Sequence, residues 1–302
     1  MLTKVLCTVM PVFITLAIGI LCRTRNVISR SGMDAIRNIA VNITLPAVLI
    51  LSFASADYSA KTILIPVTAF VTATAGLALG YTAKAIFRES RCFPFMLTGF
   101  EAGMLGYGLF ALLFRGQSNS MLALLDLGGA TFVFTLYKAL LCGKGGVKSA
   151  VRSAVTAPTL WAIVLGVVIG ATGLYDAMAP SGGQEVFNTI TGFISAPTSV
   201  LILLGIGYDL DFSHVHWNKV LRITASRIVV LAVMFLIFII VNNTLLKGII
   251  PVSTLLLFFI LPPPYVVPVF ADEEEEKADI STALSLCTVL CLTGFTIMAV
   301  FV

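Results

Sequence analysis

Charge is scarce in this chain. Lys, Arg, Asp and Glu together make up 11% of its 302 residues, while 58% are hydrophobic; an ordinary soluble domain carries about 25% charged residues. That scarcity excludes a soluble globular fold. Apolar segments of membrane-crossing length recur from end to end, and no stretch between them is long enough for a separate soluble domain. Histidine is almost missing: His214 and His216 flank Val215 with no cysteine nearby, which is no pattern for a metal site. The six cysteines include no CxxC pair, and Cys287 and Cys291, one helical turn apart in an apolar run, read as packing residues. There is no phosphate-binding loop, so ATP does not drive the protein directly, and nothing in the charge distribution suggests nucleic-acid binding. The first apolar run, to Cys22, lacks a small-residue cleavage site and meets Arg23, Arg25 and Arg30 at once, so it reads as an uncleaved first helix.

Glycine and proline, by contrast, are concentrated where a membrane helix tolerates them least. Gly99, Gly103, Gly106 and Gly108 fall within ten residues of one apolar run, and each costs roughly 1 kcal/mol against alanine in a helix. Glu101 lies among them, and a carboxylate at the bilayer centre adds about 3 kcal/mol or more. Near the other end, Pro262, Pro263, Pro264 and Pro268 interrupt a second apolar run and remove four amide donors. Two broken membrane segments in corresponding halves of a chain point to a transporter's binding site.

The organisation expected is two halves. Residues 1–141 hold five spans, roughly Thr3–Leu21, Ser31–Ser55, Lys61–Phe87, Cys92–Phe114 and Ser118–Leu141. A glycine-rich, basic linker follows at 142–152. Residues 153–302 hold five more, roughly Ser153–Tyr175, Glu185–Tyr208, Trp217–Leu245, Ile249–Phe270 and Ile280–Val302. The halves echo each other. Pro46 in span 2 corresponds to Pro197 in span 7, 151 positions on, and Asp57-Tyr58-Ser59 to Asp211-Phe212-Ser213, 154 positions on. Pro11 matches Pro158, and the broken spans are fourth and ninth. Loops and helix ends after odd-numbered spans hold 15 of the 19 basic residues, Arg227 among them; Lys4, Lys61, Arg115 and Lys247 lie on the other side. The basic side is therefore read as cytoplasmic, with both termini outside a bacterial inner membrane. Five spans per half is an odd number, so the halves insert in opposite directions. The fold class expected is an all-α polytopic membrane protein, with ten transmembrane helices as two inverted five-helix repeats. The acidic run Asp272–Glu276 reads as a solvated turn.

In order along the chain, these residues resemble the auxin efflux carrier family of membrane transporters. Asn42-Ile43-Thr44-Leu45-Pro46 resembles the family's asparagine-to-proline element, Gly99 to Gly108 its glycine-rich crossover, and Asp126 to Leu136 its fifth span. Leu261-Pro262-Pro263 and the following span resemble its ninth and tenth. The resemblance implies that helices 4 and 9 unwind and cross at mid-membrane. It also implies that spans 1, 2, 6 and 7 form a scaffold, through which a homodimer would assemble, and that the cargo is a small organic acid. Glu101 and Ala102 stand where the family has asparagine and threonine, and Gly108 where it has proline. A carboxylate there repels an anion unless it is protonated or holds a cation. The related sodium-coupled bile-acid-type symporters share the architecture and use acidic crossover residues, so they stand as an alternative.

Candidate roles follow from residue type. Glu101 is a proton or Na+ site, or a cap for backbone N–H groups of the broken helix. Gly99, Gly103 and Gly106 leave amides free and let backbones approach. Pro262, Pro263 and Pro264 free carbonyls for a cation, and Tyr265 offers a hydroxyl or ring face. Asn42 is a substrate donor or an interhelical hydrogen bonder. Asp126 pairs with the crossover backbone or a coupling ion, or is wetted near the surface. Pro46, Pro197, Gly108 and Pro268 act as kinks or hinges. The reading is a secondary transporter coupled to H+ or Na+, with no cofactor, a lipid bilayer and a small organic solute as partners, and no enzymatic activity. A channel or solute sensor is the alternative of another class, as is an intramembrane aspartyl protease using Asp126 and Asp209.

Overall fold

The computed structural model describes residues 2–59, 61–141, 152, 155–210, 216–271 and 273–301. The expected linker, apart from Arg152, lies outside them, as do Asp211-Phe212-Ser213, His214 and Asp272. Every regular element among the described residues is helical. The first half holds α1 (Leu2–Thr24), α2 (Arg30–Ile39), α3 (Leu45–Ala54), α4 (Leu64–Phe87), α5 (Phe93–Leu97), α6 (Tyr107–Leu113), α7 (Ser120–Phe132) and α8 (Lys138–Leu141). Wide turns of π-helix at Ala40–Thr44, Ala102–Gly106 and Val133–Tyr137 lead into α3, α6 and α8. The second half holds α9 (Pro158–Ala171), α10 (Leu174–Ala177), α11 (Gly183–Ser195), α12 (Thr198–Asp209), α13 (Trp217–Thr244), α14 (Val252–Ile260) and α15 (Glu274–Phe301).

Eight segments among the described residues are long and apolar enough to cross a membrane: Val5–Thr24, Arg30–Ala54, Leu64–Phe87, Phe93–Leu113, Ser120–Leu141, Gly183–Asp209, Trp217–Thr244 and Glu275–Phe301. A ninth is counted if Pro158–Ala171 and Leu174–Ser181, bent by 65°, are one span. The described residues thus supply eight or nine candidate spans against the ten expected. The expected ninth span is the exception, because α14 has nine residues; they rise about 14 Å, half of a ~30 Å hydrocarbon layer. The acidic run also differs from expectation. The helix α15 starts at Glu274, so Glu275 and Glu276 lie in its first turn, where carboxylates meet the positive end of the helix dipole.

Packing follows small residues. The long helix α1 lies along α12, and α3 along α9 and α11. A methyl group on Gly207 would strike the main chain of Leu16, and one on Gly166 would come within 2.9 Å of the Ile50 carbonyl. Those glycines let backbones touch without an intervening side chain, which is how membrane helices gain contact when water supplies no drive. Elsewhere α4 packs on α7, α5 and α13, and α13 on α15. Gly128 allows the α4–α7 contact, where a methyl would meet the Pro66 carbonyl. Beyond α3, Tyr58 folds back and donates its hydroxyl to Phe53 O at 2.9 Å. Burial pushes that phenol up to about 12, so it stays protonated as a donor. The most deeply buried side chains include Phe93, Phe95, Met96, Leu97, Phe258 and Leu261, which flank the two breaks.

Candidate functional site: two breaks braced by a carboxylate and a guanidinium

The first break begins where α5 stops. Thr98 is extended, Gly99 has φ +77°, and Glu101 is non-helical before the turn at Ala102–Gly106. The second begins at Leu261, also extended, and continues through the prolines to a short 3-10 turn at Val267–Phe270. Its cause is local. Prolines at 262, 263 and 264 have no N–H to offer the carbonyls of Phe258, Phe259 and Ile260, their partners in an uninterrupted helix. The two breaks touch. The Glu101 N–H donates to Pro262 O at 2.9 Å. A side chain on Gly99 would sit 3.0 Å from the Pro264 ring, and one on Gly106 would sit 2.9 Å from Leu261 Cδ1. The Phe100 ring stacks against Phe258 and Phe259, centroids 4.5 and 5.2 Å away.

Broken helices leave main-chain donors and acceptors unpaired, which in a membrane interior costs several kcal/mol per group unless partners are supplied. Here two side chains of opposite charge supply them. Glu101 collects N–H groups: Oε2 accepts from Tyr265 N of the second break at 2.9 Å, and Oε1 accepts from Met104 N of the first at 3.3 Å. Arg227 collects carbonyls. Its Nη1 donates to Met96 O at 2.9 Å, with Thr98 O at 3.5 Å. Its Nη2 donates to Gly99 O at 3.0 Å and to Leu261 O at 2.8 Å. Arg227 is 3% exposed and projects from the interior of α13. Each brace spans both breaks. The assignment also suits the helix dipoles, because the carbonyls belong to the C-terminal ends of α5 and α14, where positive charge is favoured.

A cavity of about 650 Å³ runs from this point toward the arginine-rich end. Glu101, Tyr265 and Thr288 line it beside Ser281 and Ser285, and Arg23, Arg30, Arg37, Lys277 and Asp209 line it as well. Asp209 is held by Arg30 at 2.8 Å and by Arg37. The Tyr265 hydroxyl is paired with that of Thr288 at 3.1 Å. A second cavity of about 240 Å³ is lined by Gly103, Tyr107, Gly108, Ser52, Thr198 and Ser199. Met104 lines both. A third, about 310 Å³ and apolar, lies between α13, α14 and α15, with Arg227, Cys287 and Cys291 in its wall.

The structure thus brings together Glu101, Gly99, Gly106, Pro262, Pro264 and Tyr265, and sets Gly103 beside the smaller cavity. Asp126 is one layer back: it is buried, and its Oδ2 accepts from the Tyr107 hydroxyl at 3.1 Å. Asn42 is elsewhere. It sits in the wide turn before α3, is exposed and lines none of the three cavities. Pro46 opens α3 after that turn, and Pro197 separates α11 from α12. Pro268 lies in the 3-10 turn and lines the larger cavity. Gly108 is helical and lies against Ser199. Asp126 and Asp209, the aspartates of the protease alternative, have different partners and line no common cavity. Sequence reading missed Arg227, having counted it with the residues at helix ends. The available signal was its position 11 residues into a 28-residue helix, since an ionisable group at such depth marks a functional site by default.

No family model matches the chain. It is 27% identical over 213 residues, 68% of this chain and 68% of the relative, to a protein of Methanothermobacter thermautotrophicus described as an uncharacterized transporter. A membrane transporter is what this likeness and the apolar helices together support.

Proposed function

We propose that this protein is a secondary transporter that moves a small organic acid by alternating access around the two breaks. One observation carries the reading: main-chain groups of both breaks meet at Glu101, at the wall of a cavity that also has four basic side chains. Arg23, Arg30, Arg37 and Lys277 outnumber the acids Asp209 and Glu101 there, even with Asp34 pairing Arg30 and Arg37 counted, so the cavity favours an anion. Unwound backbone at mid-depth is tolerated where it lines a water-filled path, and a mid-membrane binding site is such a place. The packing also fits two oppositely inserted halves. Exchanging the halves turns the α1–α12 contact, between spans 1 and 7, into the α9–α3 contact, between spans 6 and 2. On this reading the arginine-rich mouth faces the cytoplasm, and both termini face the other side.

The test is uptake of a panel of radiolabelled mono- and dicarboxylates into proteoliposomes, with proton and sodium gradients imposed separately. Saturable uptake of at least one carboxylate, slowed by the unlabelled compound, is expected. Uptake that stays linear with concentration at rates above carrier turnover indicates a channel; binding without flux indicates a sensor. Either outcome overturns the proposal.

A further inference from the structure

We propose that the Arg227 guanidinium is the resident cation of the site. It is a tethered positive charge among the freed carbonyls, in the place a coupling Na+ would otherwise take, so that transport does not depend on Na+. The proposal rests on the transport reading for its functional arm; its binding arm stands alone.

The carbonyls released by a broken helix are hard oxygen donors, the kind that coordinate hard metal cations. Here they are already engaged. Met96 O, Gly99 O and Leu261 O come from both breaks, and all three accept from one guanidinium at 2.8 to 3.0 Å. Among the described residues its hydrogen-bond acceptors are all main-chain carbonyls; none is a carboxylate. Its charge is therefore balanced by peptide dipoles, as a bound metal ion's would be. The Phe100 ring, centroid 6.0 Å from the guanidinium carbon, adds an aromatic contact. Arginine holds its proton across the physiological range, and its planar fork reaches several acceptors at once. A charge fixed by a covalent stem neither dissociates nor follows a gradient. Glu101, on the N–H side of the same junction, is then the group left to exchange a proton with the cavity.

Removing the side chain should uncover a cation site. Thermal unfolding of purified wild type, Arg227→Ala and Arg227→Lys is measured in NaCl, in choline chloride and with added methylguanidinium. Wild type should melt at one temperature in all three. Arg227→Ala should melt lower in choline and recover by about 3 °C or more with Na+ or methylguanidinium. Arg227→Lys, which keeps a tethered charge with fewer donors, should show no Na+ response. In proteoliposomes, wild-type uptake should agree within about twofold between Na+ and choline, and Arg227→Ala uptake should be at least about tenfold lower in choline than in Na+. A wild type stabilised by Na+, or losing uptake without it, overturns the proposal. So does an Arg227→Ala protein that melts alike in all three conditions. If Arg227→Ala cannot be recovered folded, the wild-type and Arg227→Lys responses to Na+ decide. If no solute is taken up, the transport reading fails while the melting series still answers the cation question.

Discussion

At the scale of single residues, the junction depends on two charges and one glycine. In Glu101→Gln the amide keeps one acceptor oxygen and turns its NH2 toward Tyr265 N or Met104 N. One buried N–H then faces another donor, which should cost about 1–3 kcal/mol. The expected outcome is a protein that folds, melts several degrees lower and has lost the pH dependence of its uptake. The assignment of proton exchange to Glu101 would need revision if this variant kept the wild-type pH–uptake profile. Gly99→Ala tests the backbone. A side chain at φ +77° costs about 1–2 kcal/mol, and the Pro264 ring 3.0 Å away adds a collision. Gly116 has φ +78° with open space around it, so Gly116→Ala is the control; its melting temperature should fall less than that of Gly99→Ala. The glycines, the prolines and Glu101 were legible in the sequence because each is expensive in a membrane helix. Arg227 was passed over, because basic residues near helix ends are expected and its own depth in the helix was not weighed apart from them. Asn42 lay in a legible motif, but that it lines none of the three cavities is a matter of packing the motif does not convey.

At the scale of elements, helix contact is set by where backbones can touch. The α1–α12 contact has Gly19 on one helix and Gly207 on the other, each lying against main chain of its neighbour. Gly207→Val should force these helices apart, with no room for Leu16 to yield. The expected result is loss of the monodisperse gel-filtration peak in detergent and a melting temperature lowered by about 5 °C or more. An unaltered elution profile would show that this contact contributes little. Most elements were readable from apolar length, and the two breaks from Gly and Pro. What length could not convey was the brevity of α14 or the 65° bend after Ala171. The first ends inside an apolar run and the second falls at Thr172-Gly173 near the end of one, and hydropathy is the same whether such a chain is straight or folded back.

At the scale of the whole molecule, the larger cavity concentrates positive charge around a path that ends at a carboxylate. An anionic solute should therefore be drawn in electrostatically, and salt should weaken the attraction. For a transported dicarboxylate, KM is expected to rise about threefold or more between low ionic strength and about 0.5 M salt, with kcat little changed. A KM indifferent to salt would detach the basic residues from solute capture. Composition and the distribution of arginine and lysine already conveyed a membrane protein with one basic side. That this side is hollow was not legible, since a cavity is a property of packed helices and not of any one of them.

Met104 borders both the large and the small cavity. Part of the wall between the two basins is thus a flexible thioether on a wide turn between Gly103 and Gly106. Such a side chain rearranges readily, so on the transport reading it is a weak point in the barrier between the two. Truncating it in Met104→Ala should make reconstituted vesicles leak protons without any solute present, a passive short circuit that a pH-sensitive dye inside the vesicles would register.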